Sequence, residues 1–214
     1  MTCNSIRLGA ILGLLMACSV LRGMAAEPES LGGGWKHQDV GAVQVPGSAT
    51  LEQGVFTLKG TLDIWGTNDG FHMVLQPFKG DGQIIARVVS VENTAGHAKA
   101  GVTFRESLAP GAKHATACVT PVDGTQFLAR ADTNGKTTSA KTGLNRGVLP
   151  YWIKLVRAGD QFGSFESTDG EHWTQIGATN VVMSREVFVG LTASSHQATK
   201  LCAATLDKVA VTPK

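Results

Sequence analysis

The chain has 214 residues, of which 43% are hydrophobic, 6% aromatic and 17% charged, and it contains 26 glycines. This length allows one domain with a core large enough to fold without crosslinks, and the composition is typical of a turn-rich β protein and excludes a coiled coil. The excess of two positive charges comes from Arg7 and Arg22, so residues 27–214 are neutral. Neither nucleic acid nor an anionic membrane is therefore an expected partner.

Residues 1–26 have the pattern of a secretory signal peptide. Arg7 precedes an apolar stretch at 8–20, and small residues near Ala26 suit cleavage. The apolar stretch is shorter than a transmembrane span, so we expect no transmembrane segment. Residues 15–18 (LMAC) also resemble a lipobox, which leaves lipidation at Cys18 open as an alternative to plain cleavage. We expect an exported protein that is periplasmic, extracellular or on the cell surface.

The domain itself is expected at 35–214, after a short polar lead-in at 27–34. Short β patterns follow one another from residue 35, and glycine-rich turn signals such as 66–70 (GTNDG) and 80–82 (GDG) separate them. The segments 71–77 and 83–91 are the first well-defined strands. The chain therefore begins as a series of β-strands.

The most informative stretch is 98–121, which predicts two strands joined by a Pro-Gly corner. Lys99 and Arg105 alternate with apolar residues in the first strand, and His114 and Thr116 do so in the second. Because successive side chains of a strand point to opposite faces, one face is apolar and the other polar and cationic. We expect the apolar face to pack on a second sheet and the polar face to line an open surface or groove.

The remainder of the chain continues the same pattern. Alternating or apolar β segments occur at 125–131, 151–157, 161–166, 172–176, 186–194 and 201–212. No segment of helical length shows a sustained period of 3.6 residues. Short strands with turns about every ten residues predict an all-β protein, built as an antiparallel sandwich or jelly roll.

Five segments resemble a known group of domains. They are 63–88 (DIWGTNDGFHMVLQPFKGDGQIIARV), 99–115 (KAGVTFRESLAPGAKHA), 150–162 (PYWIKLVRAGDQF), 167–177 (STDGEHWTQIG) and 187–196 (VFVGLTASSH). The chain is similar, from about 35 to 211, to bacterial secreted concanavalin A-like (laminin G-like) domains. This resemblance implies an antiparallel two-sheet β-sandwich of the kind found beside glycoside hydrolases and surface proteins. Such modules are often carbohydrate-related and commonly non-catalytic.

Motifs of known enzymes are missing from the sequence. It contains no Glu-x-Asp-x-(x)-Glu run of glucanases, no Gly-x-Ser-x-Gly and no His-Glu-x-x-His. We therefore expect an exported, non-catalytic carbohydrate-binding or surface-interaction module. One alternative is a sugar-active enzyme of the glycoside hydrolase type that uses Glu106, His114 or Asp69. The other is a domain that binds envelope proteins.

The polar strand face is the expected ligand site, because amide, guanidinium and ammonium groups suit sugar hydroxyls. An ordinary solvated sheet face is the alternative interpretation. Trp65, Tyr151 and Trp152 are either sugar-stacking platforms or core residues. The predicted ligand-binding residues are Gln76, Lys99, Thr103, Arg105, His114, Thr116, Gln126 and Arg130.

Metal binding and disulfide formation are less well determined by the sequence. The resemblance to jelly-roll carbohydrate modules implies a structural Ca²⁺ near Asp207 in the last strand, with Asp39 near the first. Calcium requires six to eight oxygen ligands, and the sequence does not identify the others. Cys118 and Cys202 are either a disulfide or two separate buried thiols, because spacing along the chain does not fix their distance in the fold.

Overall fold

The computed structural model describes residue 1 and residues 27–143 and 148–214. The expected signal peptide and the lipidation site at Cys18 lie outside the described residues. Within them the chain forms strands and no helix, so no helix there is long and apolar enough to span a membrane. The strands are β1 (Glu29–Gly32), β2 (Trp35–Val40), β3 (Ser48–Glu52), β4 (Val55–Gly60), β5 (Phe71–Lys79), β6 (Gly82–Val91), β7 (Lys99–Arg105), β8 (His114–Thr120), β9 (Gly124–Arg130), β10 (Thr138–Lys141), β11 (Tyr151–Ala158), β12 (Gln161–Ser167), β13 (Thr174–Asn180), β14 (Glu186–Ser194) and β15 (Cys202–Pro213).

The strands form two antiparallel sheets, which confirms the predicted sandwich. Sheet A has the order β1-β2-β5-β14-β7-β8-β9-β10, and sheet B has the order β13-β12-β11-β6-β15-β4-β3. Strands β7 to β9 are neighbours in both sequence and space, whereas β14 inserts between β5 and β7. The polar strands identified in the sequence therefore lie side by side in sheet A, between β14 and the edge strand β10.

The main core lies between the two sheets, and the apolar face of β7 belongs to it as predicted. Ala100, Val102 and Phe104 are fully buried in this core. Phe104 packs against Phe78 and Phe162, with ring centroids 5.3 and 5.9 Å apart. Alternation along each strand thus places one set of side chains between the sheets, where removal from water stabilises the fold.

The other face of β7 to β9 is also covered, by the segment that joins β4 in sheet B to β5 in sheet A. We call this segment, residues 61–70, the strap. Ile64 of the strap is 1% exposed and belongs to a second apolar cluster with Cys118 and Leu128 on the outer face of sheet A. The expectation that this face lies open is therefore wrong, because the strap and its neighbouring loops bury it.

Main-chain hydrogen bonds fix the strap along its length. Leu62 exchanges two of them with the β14–β15 loop, at Gln197 O and His196 N, both at 2.7 Å. Further along, Asp69 N donates to Pro110 O in the β7–β8 loop, and Gly66 O accepts from Thr137 N after β9. Buried backbone groups need such partners. The strap finds them in the surrounding loops, although it is not part of a β-sheet.

A glycine allows the strap to begin where it does. At the end of β4, a Cβ on Gly60 would lie 2.0 Å from the carbonyl oxygen of Ala193 in β14. The chain therefore crosses from sheet B to sheet A in direct backbone contact with β14. Only a residue without a side chain fits that approach.

The two cysteines of the domain are separate thiols. Cys118 lies on β8 of sheet A and Cys202 on β15 of sheet B, and both are free and buried. Burial raises the pKa of the Cys118 thiol to about 12 and that of Cys202 to about 11. Of the two alternatives left by the sequence, the structure has separate, unreactive thiols rather than a disulfide.

We expect Ile64→Ala to destabilise the protein by about 2–5 kcal/mol, because it leaves a cavity between the strap and sheet A. Urea unfolding followed by tryptophan fluorescence measures the change. Val182→Ala is the control, since Val182 is 66% exposed and its truncation should leave the unfolding midpoint unchanged. Equal stability of the two variants would show that Ile64 does not anchor the strap.

Candidate functional site

The sheet places most of the predicted ligand residues on one face, as the alternation indicates. Arg105, His114 and Arg130 are directly opposite one another on β7, β8 and β9, and form one row across the strands. Thr103 and Thr116 form the next row. All five side chains are buried, however, and both arginines are 0% exposed. The residues are together, but they do not line an accessible groove.

Asp69 of the strap bridges the two buried arginines. Its carboxylate accepts from Arg105 Nη1 at 2.6 Å, and from Arg130 Nη1 and Nη2 at 2.7 and 2.6 Å. Burial lowers the pKa of Arg105, and the charge of Asp69 opposes that shift. Charges removed from water are tolerated only when they are paired and hydrogen-bonded, which this arrangement achieves.

Other guanidinium donors bind loop carbonyls, whereas Arg105 Nε is buried with no hydrogen-bond partner among the described residues. Arg105 Nη2 donates to Ala109 O and Pro110 O, at 2.6 and 3.0 Å. Arg130 reaches Gly66 O in the strap and Gly135 O in the β9–β10 loop. The two arginines therefore connect the strap with the loops on either side, which is a structural role. The prediction that they present free donors to a sugar is wrong, because both side chains are buried and their donors are directed at the protein itself.

His114 is held as a neutral imidazole between two hydroxyl groups. Its Nδ1 lies 3.1 Å from Thr116 Oγ1 and its Nε2 lies 3.4 Å from Thr137 Oγ1. Burial lowers the pKa of His114 to about 3; Asp69 opposes this shift and the two arginines add to it. Thr103 bonds Thr116 at 2.7 Å, which completes the buried polar network.

Gln76 does not belong with the others. On β5 it pairs with Val189, which in turn pairs with Phe104, so Gln76 lies on the core-facing side of sheet A. It is half-buried near the edge of the sheet. The prediction placed it on the same face as Lys99, and the register of β5 against β14 shows that this placement is wrong.

An exposed polar cluster remains at one end of the face, where the strap begins. The start of β7, the β8–β9 turn and the end of β14 meet there because neighbouring strands are antiparallel. We call this group the rim cluster, and its members are Asp63, His97, Lys99, Asp123, Lys141 and His196. Of the predicted ligand residues, Lys99 belongs to the cluster, and Gln126 touches it by donating to Asp123 Oδ2 at 3.2 Å. Both are buried, however, so the prediction that they are open to a ligand is wrong, and the exposed members of the cluster are the histidines and Lys141.

Two histidines of the rim cluster are each held by a carboxylate. His97 Nδ1 lies 2.6 Å from Asp123 Oδ2, and His196 Nδ1 lies 2.7 Å from Asp63 Oδ2. The two rings meet edge to face with centroids 5.3 Å apart. The side chains are 51% and 43% exposed, so this is where the polar face of sheet A reaches solvent.

Each carboxylate is also held by a lysine. Lys99 Nζ lies 2.5 Å from Asp63 Oδ1, and Lys141 Nζ lies 3.0 Å from Asp123 Oδ2. Partial burial of Asp123 opposes its ionisation, but Lys141 and His97 outweigh that effect and hold the pKa of the carboxyl below its usual range. Two carboxylates therefore face two ammonium groups, and the cluster has no net charge with neutral histidines.

Trp65 is the exposed aromatic residue of the strap. It is 47% exposed, directly after the buried Ile64 and two residues after Asp63. Tyr151, by contrast, is buried, and Trp152 is half-buried on sheet B beneath the guanidinium of Arg87. Of the three aromatic residues considered from the sequence, Trp65 is the one whose ring extends from the sheet A side into solvent.

The two aspartates expected near calcium are engaged by other groups. Asp39 accepts from Gly47 N and contacts His72 Nδ1 at 2.8 Å, whereas Asp207 binds Arg87 through both oxygens, at 2.7 and 2.5 Å. They lie on strands of different sheets. No group of three or more His, Cys, Asp or Glu that could hold a metal ion occurs among the described residues. Calcium stays a prediction from the sequence.

Sequence reasoning did not assign a role to His97, Asp123 or His196. These residues sit in loops outside the alternating pattern, and their spacing matches no motif. The only local signal is that each one flanks the end of a strand, a position where functional side chains are often found.

The sequence matches no protein-family model and no curated protein. Among solved structures, a functionally unknown protein from Saccharomyces cerevisiae has a TM-score of 0.65 at 16% identity, over 83% of this chain and 96% of that one. A GH43 protein from Bacillus licheniformis has a TM-score of 0.64 at 17% identity, and the match covers 88% of this chain and 38% of that one. The carbohydrate binding module CBM66 from Bacillus subtilis has a TM-score of 0.54 at 16% identity, and the match covers 83% of this chain and 94% of that one.

At such identities the likeness shows the fold, which is the concanavalin A-like jelly roll expected from the sequence. This chain spans less than half of the GH43 protein, as a single module would.

We expect Arg130→Ala to destabilise the protein by about 3–5 kcal/mol, because Asp69 and the carbonyls of Gly66 and Gly135 would each lose a hydrogen-bond donor. Chemical unfolding measures the loss. Lys79→Ala is the control: its ion pair with Glu186 is exposed, so the unfolding midpoint should barely move. If the two substitutions had similar effects, Asp69 and the arginines would not hold the loops together.

We expect acid to destabilise the protein partly through His114. Its pKa is about 3 in the fold against an ordinary value of 6.5, so between those values the unfolded chain binds the extra proton. Stability from this group is complete above pH 6.5 and is lost as the pH falls towards 3, by roughly 2 kcal/mol between pH 7 and pH 5. His114→Gln should reduce that loss, measured by urea unfolding at both pH values.

The control for the pH experiment is Val182→Ala, because Val182 is 66% exposed and carries no titratable group. It should leave the pH dependence of unfolding as in the unmodified protein. A His114 ring resonance that titrates near pH 6 in the folded protein would contradict the assignment of a neutral, buried imidazole.

Proposed function

We propose that this protein binds carbohydrate on the surface formed by Trp65 and the rim cluster. The observation that carries the proposal is the position of an exposed indole on the same strap as Asp63, whose carboxylate orients one of two exposed imidazoles. This surface adjoins the polar strand face that the sequence predicts to bind ligand, through Lys99 and Gln126.

The chemistry of the surface suits a sugar. The C–H face of a pyranose ring packs against an aromatic ring, and Trp65 offers such a ring to solvent. Each sugar hydroxyl both donates and accepts a hydrogen bond, and the rim cluster supplies imidazole, carboxylate and ammonium partners. Because the charges of the cluster cancel, it favours a neutral sugar over an acidic one.

The fold supports the same proposal. The solved structures that resemble this chain include a carbohydrate binding module and a GH43 protein. A ligand would lie across the strap and the end of sheet A rather than in an open hollow, because Ile64 and Asp69 fill that hollow. We further propose that the protein acts after export, since residues 1–26 have the pattern of a signal peptide.

Binding without cleavage of a glycosidic bond is the expected activity. Glycosidases need two carboxyl groups placed on either side of the bond, one of them as an acid. Asp63 and Asp123 are each held by a histidine and a lysine, and Asp69 is buried between two arginines. Glu106 lies 3.6 Å from Lys113 and accepts from Ser184 N, so it too is engaged.

We expect Trp65→Ala to weaken glycan binding by roughly tenfold, since it removes the stacking platform. A glycan array identifies the ligand, and titration calorimetry with the best neutral oligosaccharide measures the affinity of the purified protein. Repeating the array with a chelator tests the predicted calcium.

Trp173→Ala is the matched control, because Trp173 is half-buried over Lys154 on the opposite sheet. It should leave the affinity unchanged. Binding that is lost in Trp173→Ala and kept in Trp65→Ala would place the ligand on sheet B. The absence of binding to every glycan would refute the proposed function.

A further inference from the structure

Four histidine–aspartate contacts occur among the described residues, and two of them differ from the rest. His72 contacts Asp39, but its Nε2 is taken by His37 and its side chain is buried. His172 contacts Asp169 as a single exposed pair. Only in the rim cluster do two such pairs stand side by side and reach solvent.

The carboxylates determine which nitrogen of each rim histidine carries the proton. A carboxylate only accepts, so Nδ1 of His97 and of His196 is the protonated nitrogen. Each Nε2 is then a free lone pair, and the described residues offer neither atom a hydrogen-bond partner. An imidazole oriented in this way is the arrangement that general-base catalysis uses.

The backbone at His196 indicates that its position is specified. This residue has φ of +58°, in the left-handed region that side chains other than glycine rarely adopt. Leu62, its partner through a main-chain hydrogen bond, has φ of +56°. Strained backbone of this kind persists only where the surroundings enforce it, and it concentrates at functional sites. Here it places the His196 ring against that of His97.

We propose that His97 and His196 form an acid–base pair that hydrolyses ester groups on neutral sugars. The sugar part of this inference rests on the proposed function, whereas the ester chemistry rests on the histidines alone. Of two adjacent imidazoles, the neutral one can act as the general base and the protonated one as the general acid. Asp63 and Asp123 hold the rings and stabilise the imidazolium that forms.

The reaction balances with water as the only co-reactant. Nε2 of the neutral histidine removes a proton from water while the water oxygen bonds to the acyl carbon. The bond between the acyl carbon and the sugar oxygen then breaks, and that oxygen takes the proton from Nε2 of the protonated histidine. The products are a carboxylic acid and the free hydroxyl of the sugar. The proton gained by the first histidine passes to solvent or to its neighbour, which restores the pair.

An ester fits this site better than a glycoside or a phosphate ester. The carboxylates of the cluster are held by histidine and lysine and are not free to act as the acid of a glycosidase. A phosphate ester would require several free cations, whereas both ammonium groups of the cluster are paired with carboxylates. A neutral ester requires proton transfer, access to water and a donor for the carbonyl oxygen that becomes negative; the two exposed rings supply the first two, and the protonated imidazole is the nearby cation for the third.

The test is the hydrolysis of p-nitrophenyl acetate by the purified protein, followed by acetate release from an acetylated neutral oligosaccharide. His97→Gln and His196→Gln should each reduce the rate by about 100-fold, since glutamine cannot transfer the proton. His172→Gln is the matched control, because His172 also contacts a carboxylate but has no second imidazole beside it. Its rate should equal that of the unmodified protein.

Two further results separate this inference from the proposed function. A protein that binds glycans but hydrolyses neither ester faster than its His97→Gln variant overturns the inference and leaves carbohydrate binding intact. A protein that hydrolyses p-nitrophenyl acetate through both histidines but binds no glycan supports the acid–base pair and refutes the proposed function. Circular dichroism of each variant confirms that a loss of rate is not a loss of fold, and Asn at either position provides a second substitution if Gln disturbs folding.

Discussion

The structure depends on one buried carboxylate. Asp69 lies between Arg105 and Arg130, and all three side chains are removed from solvent. Burial of two neighbouring cations is costly without an anion between them, and the strap carries that anion across the face of sheet A. Once Asp69 is in place, Ile64 covers Cys118 and Leu128, and the β7–β8 and β9–β10 loops bind the outward guanidinium donors. The pairing thus converts an open sheet face into a second core.

This second core decides where a ligand can bind. The same face of a jelly roll could have formed a hollow lined by arginine, threonine and glutamine side chains. In this protein the strap fills the hollow above β7 to β9, and a group of accessible polar side chains remains where the strap starts, at Asp63 and the neighbouring histidines. The proposed ligand surface is therefore a rim, made of side chains from five separate segments, with Trp65 on the same strap as Asp63. A surface of this kind suits the end or the side of a sugar chain rather than a long chain enclosed in a cleft.

Part of this arrangement could be predicted from the chain and part could not. The alternation in 99–105 and 114–120 correctly assigned Arg105 and His114 to one face and Phe104 to the core, since the side-chain period of a strand is a local property. The exposure of that face was predicted wrongly. Asp69 stands 36 residues from Arg105 and 61 from Arg130, and no local rule brings them together. The prediction for Gln76 was wrong for a related reason, because the register of β5 against β14 is set by tertiary pairing.

The sequence by itself determined the strands, their apolar faces and the class of fold, because the alternation of side chains and the turn residues act over a few neighbouring positions. Tertiary structure alone decided which polar residues are buried and which are exposed. Burial depends on what crosses above a face, and here that is a ten-residue segment whose course is fixed by ion pairs and hydrogen bonds to distant loops. For the same reason His97 and His196, far apart in the chain, became neighbours only when β7 and β14 paired in the folded sheet.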